Sequence, residues 1–326
     1  MATAKVHRVE VDGPGIRRRR AGRGFTYLHP NGRRVRDRQV IARIKALAIP
    51  PAWHDVWICP DPAGHIQAMG VDDRGRRQYR YHAAWREARD WEKHERVVAM
   101  AQVLPQLRER VTADLARDDL GRDRVLAAAI RLLEEGFFRV GGEPYAADNG
   151  SFGLATIQKQ HVRVRAGRVV VFDYPAKSGQ RRKVEVEDPD VVPVVQALKR
   201  RRGGGPELLA YKDEAGRWVD VRSADVNDYL REAIGEEFSS KDVRTWSGTV
   251  LAAVALSKDE SVPEAMREVA EQLGNTPAVV RSAYVDPRVV ERLDEDGAAL
   301  GVDPELAEAD AVEAAVVELV EGVERR

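Results

Sequence analysis

The sequence predicts an α+β protein of two domains. A small N-terminal antiparallel β-sheet domain with helices covers residues 1–92, and a larger, mainly α-helical domain carrying a three-stranded β-meander covers 93–326. Three observations lead there. Between residues 25 and 82, short alternating runs are separated by Pro, Asp and Gly turns. From residue 83 onward, apolar residues recur at helical spacing. That helical pattern is interrupted between 162 and 187 by three runs that alternate with period two.

In chain order, residues 1 to about 23 end in Arg17-Arg18-Arg19-Arg20-Ala21-Gly22-Arg23 and hold little apolar surface, so a mobile basic arm able to touch phosphates is expected. Phe25 to His29 begins a strand, Asn31-Gly32 is a turn, and Val40, Ile41, Ile44 and Leu47 place a helix over 36–47, broken by Ile49-Pro50-Pro51-Ala52-Trp53. Strands follow at Val56 to Cys59, His65 to Gly70 and Arg77 to His82. In the last of these, Gln78, Arg80 and His82 point one way and Tyr79 and Tyr81 the other. Such a face reads either as an ordinary half-buried strand or as a DNA-reading one, with Gln suited to adenine and Arg to guanine.

Residues 83 to about 118 are helical and charged. Leu126, Ile130, Leu133 and Phe137 mark another helix, ended by Gly141-Gly142, with Arg139 at its C-terminus, where a cation also suits the helix dipole. The meander runs through Val162 to Arg165, Val169 to Phe172 and Lys183 to Glu187, with Lys177 at a hairpin tip. A helix over 191–199 precedes the basic loop Arg200 to Pro206, which lacks the Gly-Lys-Ser/Thr ending of a nucleotide-binding loop. Ser223 is expected to cap the next helix. Lys241 and Arg244 then precede an apolar helix over 250–256, where cations oppose the dipole and a phosphate is what that end attracts. Gly274 ends one helix, and Thr276 and Pro277 start a short one that Tyr284 closes before Pro287. Pro304 to Val323 reads as an acidic amphipathic helix with Leu306, Val312, Val316, Leu319 and Val323 as its packing stripe.

Composition narrows the function. With 43% hydrophobic and 33% charged residues the chain is globular, and no apolar run approaches the ~20 residues that span a bilayer. The N-terminus is basic and apolar-poor, unlike a signal peptide, so a cytoplasmic location is expected. Cys59, the single cysteine, reads as core, and the seven histidines show no metal-ligand spacing. No cofactor is expected. The zero net charge hides a gradient, from +10 over residues 1–100 through +2 over 101–258 to −12 over 259–326. A basic front end suits a polyanion, although an unevenly charged solvated surface would look the same. Of 53 basic residues 43 are Arg, whose planar fork fits phosphate.

Phe137-Phe138-Arg139-Val140-Gly141, Asn149-x-Ser151-x-Gly153-Leu154-x-Thr156 to His161, the Lys177 hairpin, Lys241-Asp242-x-Arg244-Thr245 and Gly274-Asn275-Thr276-Pro277 to Ala283-Tyr284 resemble, in order and spacing, the type IB DNA topoisomerases in their compact poxvirus-like bacterial form. Ile49 to Trp53 and Gln78-Tyr79-x-Tyr81 are similar to that family's N-terminal DNA-contacting domain. The resemblance implies the catalytic fold shared with tyrosine recombinases, and a monomer whose two lobes close around duplex DNA as a C-shaped clamp. It makes Tyr284 the nucleophile that forms a 3′-phosphotyrosyl link. Arg139 and Arg244 become ligands of the non-bridging oxygens and Lys177 the proton donor to the 5′-oxygen, with Lys241 accessory. Gln78, Tyr79, Arg80 and Tyr81 become DNA contacts. Where the family usually has His, this chain has Asn275, which can donate a hydrogen bond but does not titrate near neutrality.

The chemistry is coherent without the family. A phenol of pKa ~10 is about one part in a thousand ionised at pH 7, so it needs positive charge or proton removal beside it. Two arginines address the charge of the phosphorane, and a lysine among cations becomes a better acid. Exchanging one phosphodiester for another roughly conserves bond energy, so neither ATP nor metal is called for. The rivals are a tyrosine recombinase, which usually carries His where Lys241 stands, and a non-catalytic DNA clamp, which would bind without covalent capture.

Overall fold

A computed structural model describes residues 5–322 except 259 and 296, and the chain divides into two units, Met1–Lys93 and His94–Arg326. The first is built on a five-stranded antiparallel sheet in the order β2-β1-β3-β4-β5: β1 (Ile16–Ala21), β2 (Gly24–Leu28), β3 (His54–Ile58), β4 (Ile66–Val71) and β5 (Arg77–Tyr81). Helix α1 (Arg38–Ala46) starts where the Asp37 carboxylate accepts from Gln39 N at 2.7 Å and Val40 N at 3.3 Å. Alternation gives the sheet two apolar faces, with Ile16, Val56, Ile58 and Ala68 grouped with Ile44 of α1, and Trp57, Cys59 and Met69 forming a separate cluster.

The expected mobile arm is corrected here, since residues 16–21 are strand β1. Ile16 is buried, and Arg18 reaches across to donate to Ile49 O (3.2 Å), Pro50 O (3.0 Å) and Trp53 O (2.5 Å). Its guanidinium carbon also lies 4.2 Å from the Phe25 ring centroid. An arginine buries its stem while satisfying its head, so a run counted as polar can still pack. In β5, Tyr79 packs with the Trp57 cluster, while Tyr81 is 41% exposed. Gln78 donates to Asp72 at 3.0 Å and Arg80 to Ala48 O at 3.0 Å.

Helix α2 (Ala83–Leu115) begins in the first unit and runs on into the second. α3 (Arg122–Gly136) is the apolar centre of the second unit, with Val125 to Ile130, Leu132 and Leu133 all buried. A helix apolar nearly all round must be covered on every side, and it contacts β8 (Arg181–Val186), α5 (Val191–Arg200), α6 (Ser223–Ile234) and α7 (Ser240–Leu256). α4 (Glu143–Asn149) follows, then the meander β6 (Val162–Arg165), β7 (Val169–Pro175) and β8 (Arg181–Val186), and α5 (Val191–Arg200). A two-stranded sheet, β9 (Ala210–Lys212) with β10 (Trp218–Asp220), leads to α6 (Ser223–Ile234) and α7 (Ser240–Leu256). α8 (Val262–Leu273), α9 (Pro277–Ala283), α10 (Pro287–Val290) and α11 (Ala309–Glu321) complete it.

Three local readings change. Ser223 is the first helical residue of α6, and the cap is at Arg222, whose N–H is accepted by Asp225 at 2.7 Å. α7 starts ten residues before Val250, so Arg244 lies inside the helix. α11 begins only at Ala309, which leaves Leu306 85% exposed, while Val312, Val316 and Val320 are buried; Val323 lies outside the described residues. The acidic end is anchored by Arg108, which bridges Glu134 (3.0 Å), Asp310 (2.6 Å) and Glu313 (2.9 Å). No helix among the described residues is long and apolar enough to cross a membrane.

Candidate active site

α3 stops because Phe137 adopts a left-handed backbone, φ 47°, and α8 stops at Gly274, φ 60°. Each stop leaves carbonyl oxygens without helical partners, at the end of the helix that carries partial negative charge. Three guanidiniums occupy this pair of ends. Arg244, 4% exposed in the second turn of α7, donates to Phe137 O and Leu273 O. Arg182, on β8 and 8% exposed, donates to Gly136 O (2.8 Å), Gln272 O (2.8 Å) and Leu273 O (2.9 Å). Arg139, just past the end of α3, donates to Gly274 O at 2.9 Å and to Asn275 Oδ1.

Carbonyls orient these arginines without neutralising them. Among the described residues none of the three pairs with a carboxylate, so their charge remains available to an anion. The carboxylate nearest in sequence, Asp242, is occupied elsewhere by Arg96 (2.8 Å) and the Ser239 hydroxyl (2.6 Å).

A cavity of about 260 Å³ opens here, lined by Arg139, Lys177, Lys241, Arg244 and Tyr284 among others. Lys177 is exposed in the turn between β7 and β8, a hairpin closed by Ala176 N to Gln180 O at 2.7 Å. Asn275 stands behind Arg139, its Oδ1 taken and its buried Nδ2 without a hydrogen-bond partner. Five of the expected residues therefore share one cavity, with Asn275 bonded to one of them. Gln78, Tyr79, Arg80 and Tyr81 belong to the first unit.

Tyr284 closes α9, its N–H donating to Val280 O at 3.0 Å. Thr249 Oγ1 accepts from Asp286 N at 3.1 Å and lies 3.3 Å from the Tyr284 carbonyl, fixing the turn against α7. Burial alone would push the phenol's pKa up, but the Arg244 guanidinium, followed by Arg139 and Lys241, outweighs it, so the phenol lies below the ordinary tyrosine value. The Arg244 guanidinium carbon sits 5.3 Å from the ring centroid. Burial, then repulsion from Arg139 and Arg182, holds Arg244 below the usual arginine range.

Glycines allow this closeness. A Cβ on Gly153 would fall 2.4 Å from Gly141 Cα, so the two backbones touch, and Leu154 N bonds Arg139 O at 2.8 Å. A Cβ on Gly248 would fall 2.8 Å from Tyr284 O and 3.0 Å from its Cβ. Gly248→Ala is therefore expected to displace Tyr284, costing about 1–3 kcal/mol of stability for overpacking. Thermal unfolding checks it, and a parent-like melting temperature would show that the contact is not tight.

Sequence reading missed Arg182, Gly248 and Thr249. The signal for Arg182 was present, because alternation in β8 places it on the same face as Val184 and Val186, where an arginine is out of place unless it is satisfied from within.

Residues 82–303 match the family model described as eukaryotic DNA topoisomerase I, catalytic core, and residues 24–72 match bacterial DNA topoisomerase IB, N-terminal domain. DNA topoisomerase 1B of Acanthamoeba polyphaga mimivirus is 30% identical over 286 residues, covering 83% of this chain and 85% of the relative. Among solved structures, the XerH site-specific recombinase bound to difH substrate in a pre-cleavage complex aligns with a TM-score of 0.38 at 14% identity, over 60% of this chain and 52% of that one. Its post-cleavage complex with palindromic difH aligns at 0.39 and 13%, over 58% and 49%.

Proposed function

Since this chain belongs to the type IB DNA topoisomerase family, an enzyme family acting on DNA, we propose that it relaxes positive and negative supercoils by transient single-strand cleavage through Tyr284. The observation that carries the reading is the shared cavity of Tyr284 with Arg139, Lys177, Lys241 and Arg244, where cations that pair with no carboxylate among the described residues line the same space as a phenol of lowered pKa. It acts as a monomer on duplex DNA in the cytoplasm.

In the forward step the Tyr284 phenol loses its proton to water and its oxygen bonds to phosphorus. The bond from phosphorus to the 5′-oxygen breaks, and that oxygen takes a proton from Lys177 Nζ. Arg139 and Arg244 hold the non-bridging oxygens, where charge builds in the transition state. Each such preorganised donor contributes about 3–4 kcal/mol at the barrier. Lys241 adds charge at the rim, and Asn275 holds Arg139 from behind through its side-chain oxygen. The free 5′ end swivels under torsion, and the reverse step reseals the strand. Neither ATP nor a metal is a reactant, because the phosphodiester energy is kept in the tyrosyl link and side chains supply the positive charge.

The test is relaxation of plasmids of both signs in EDTA without ATP, with denaturing capture of the adduct and mapping of the attached residue. Attachment elsewhere than Tyr284 overturns the assignment. The pH profile is a second expectation. The ionised phenol is the attacking form and its pKa is lowered, so cleavage should rise with pH and level off below the ~10 of an ordinary tyrosine. A rising limb centred at or above that value would mean that Arg244, Arg139 and Lys241 do not activate it.

A further inference from the structure

We propose that Arg182 is a positioning residue that holds the Lys177 hairpin against the phosphate-binding arginines; this rests on the reading of Lys177 as proton donor. Arg182 lies on β8, and β7 pairs with β8 out to the Pro175–Arg181 register, so a shift of β8 shifts the Lys177 turn with it. Its guanidinium reaches out of the meander to the ends of two helices, binding Gly136 O, Gln272 O and Leu273 O at 2.8–2.9 Å. Those carbonyls immediately precede the segments that carry Arg139 and Asn275. The Phe138 ring packs beneath, 5.7 Å from the guanidinium carbon and stacked 6.0 Å from Tyr174 of β7.

The role is separable from that of Arg244. Arg244 bonds the same two helix ends, through Phe137 O and Leu273 O, but it comes from α7. Without Arg182, the ends of α3 and α8 remain joined through Arg244, and Arg139 remains tied to Gly274 and Asn275. What is lost is the polar link from the meander to that cluster. Proton transfer is steeply sensitive to placement, since a displacement near 1 Å can cost roughly 10²-fold. The leaving-group step should therefore suffer while phosphate binding does not.

The leaving group itself provides the readout. A duplex whose scissile 5′ bridging atom is sulfur expels a thiolate, which needs no proton because a thiol is a far stronger acid than an alcohol. Single-turnover cleavage of the oxygen and sulfur duplexes is measured for the parent, Lys177→Ala, Arg182→Met and Arg182→Lys. Arg182→Met is expected to be about 10²-fold slow with oxygen and within about threefold of the parent with sulfur, and combining it with Lys177→Ala should add little. Should Lys177→Ala fail to be rescued by sulfur, the proton-donor reading itself is wrong. If Lys177→Ala is rescued but Arg182→Met is slowed equally on both duplexes, or is not slowed on oxygen, the positioning proposal is overturned. Where Arg182→Met loses its thermal transition, Arg182→Lys decides on the same comparison, since it keeps the charge but lacks the fork that spans three carbonyls.

Discussion

Tyr284→Phe should bind duplex DNA like the parent, relax no plasmid and form no covalent adduct. The substitution removes one oxygen from a side chain whose ring keeps its place over Arg244 and whose backbone keeps its bonds to Val280 and Thr249. The five-residue cavity and its charge persist, so affinity, which for phosphate contacts is set by cationic groups and falls steeply with salt, should be unchanged. Catalysis instead loses its only attacking atom. Gel-shift titration at two salt concentrations and plasmid relaxation measure the two halves separately. Relaxation at the parent rate would sink the assignment of Tyr284, and loss of binding would mean that the hydroxyl has a structural duty the geometry does not reveal.

Arg244→Ala should be the most damaging change among the cations, because Arg244 acts twice. At the barrier it supplies one of the preorganised donors, about 3–4 kcal/mol or 10²–10³-fold in cleavage. It is also the strongest of the charges lowering the Tyr284 phenol, so its loss should move the rising limb of the pH profile upward. In the fold it satisfies Phe137 O, and leaving that carbonyl bare should cost about 1–3 kcal/mol, whereas Leu273 O keeps its bond from Arg182. Arg244→Lys retains charge but has no fork to span both carbonyls, so it should recover part of the stability and little of the rate. Single-turnover cleavage, its pH dependence and thermal unfolding separate these effects. Cleavage by Arg244→Ala within tenfold of the parent would exclude it from the reacting phosphate.

Much of the secondary structure was legible because local rules governed it. α3 follows the Leu126, Ile130, Leu133 spacing, α5 and α8 follow theirs, and the meander alternates as read. The misses share a cause, namely partners distant in sequence or elements too short to show a period. β1 reads as a loose arm because arginines count as polar, while the Arg18 guanidinium finds carbonyls some thirty residues on, in the 49–53 turn. β9 and β10, three residues each, are too short for alternation to register. Leu306 joined a helical stripe on paper, but the helix starts three residues later and leaves it in water.

By itself the sequence determined which groups the site could contain: a tyrosine bracketed by Thr276-Pro277 and Pro287, arginines at the edges of helices, a lysine in a hairpin turn and an asparagine where the family usually has histidine. Residue type and local spacing are properties of a segment, and segments can be read one at a time. Tertiary structure decided how the arginines stay charged yet ordered. Their partners are backbone oxygens that two unrelated helices leave exposed where they end, with Arg139 and Gly274 lying 135 residues apart. No local pattern encodes that meeting, because it exists only after α3, α7, α8 and the meander have packed around one apolar centre and brought the ends together.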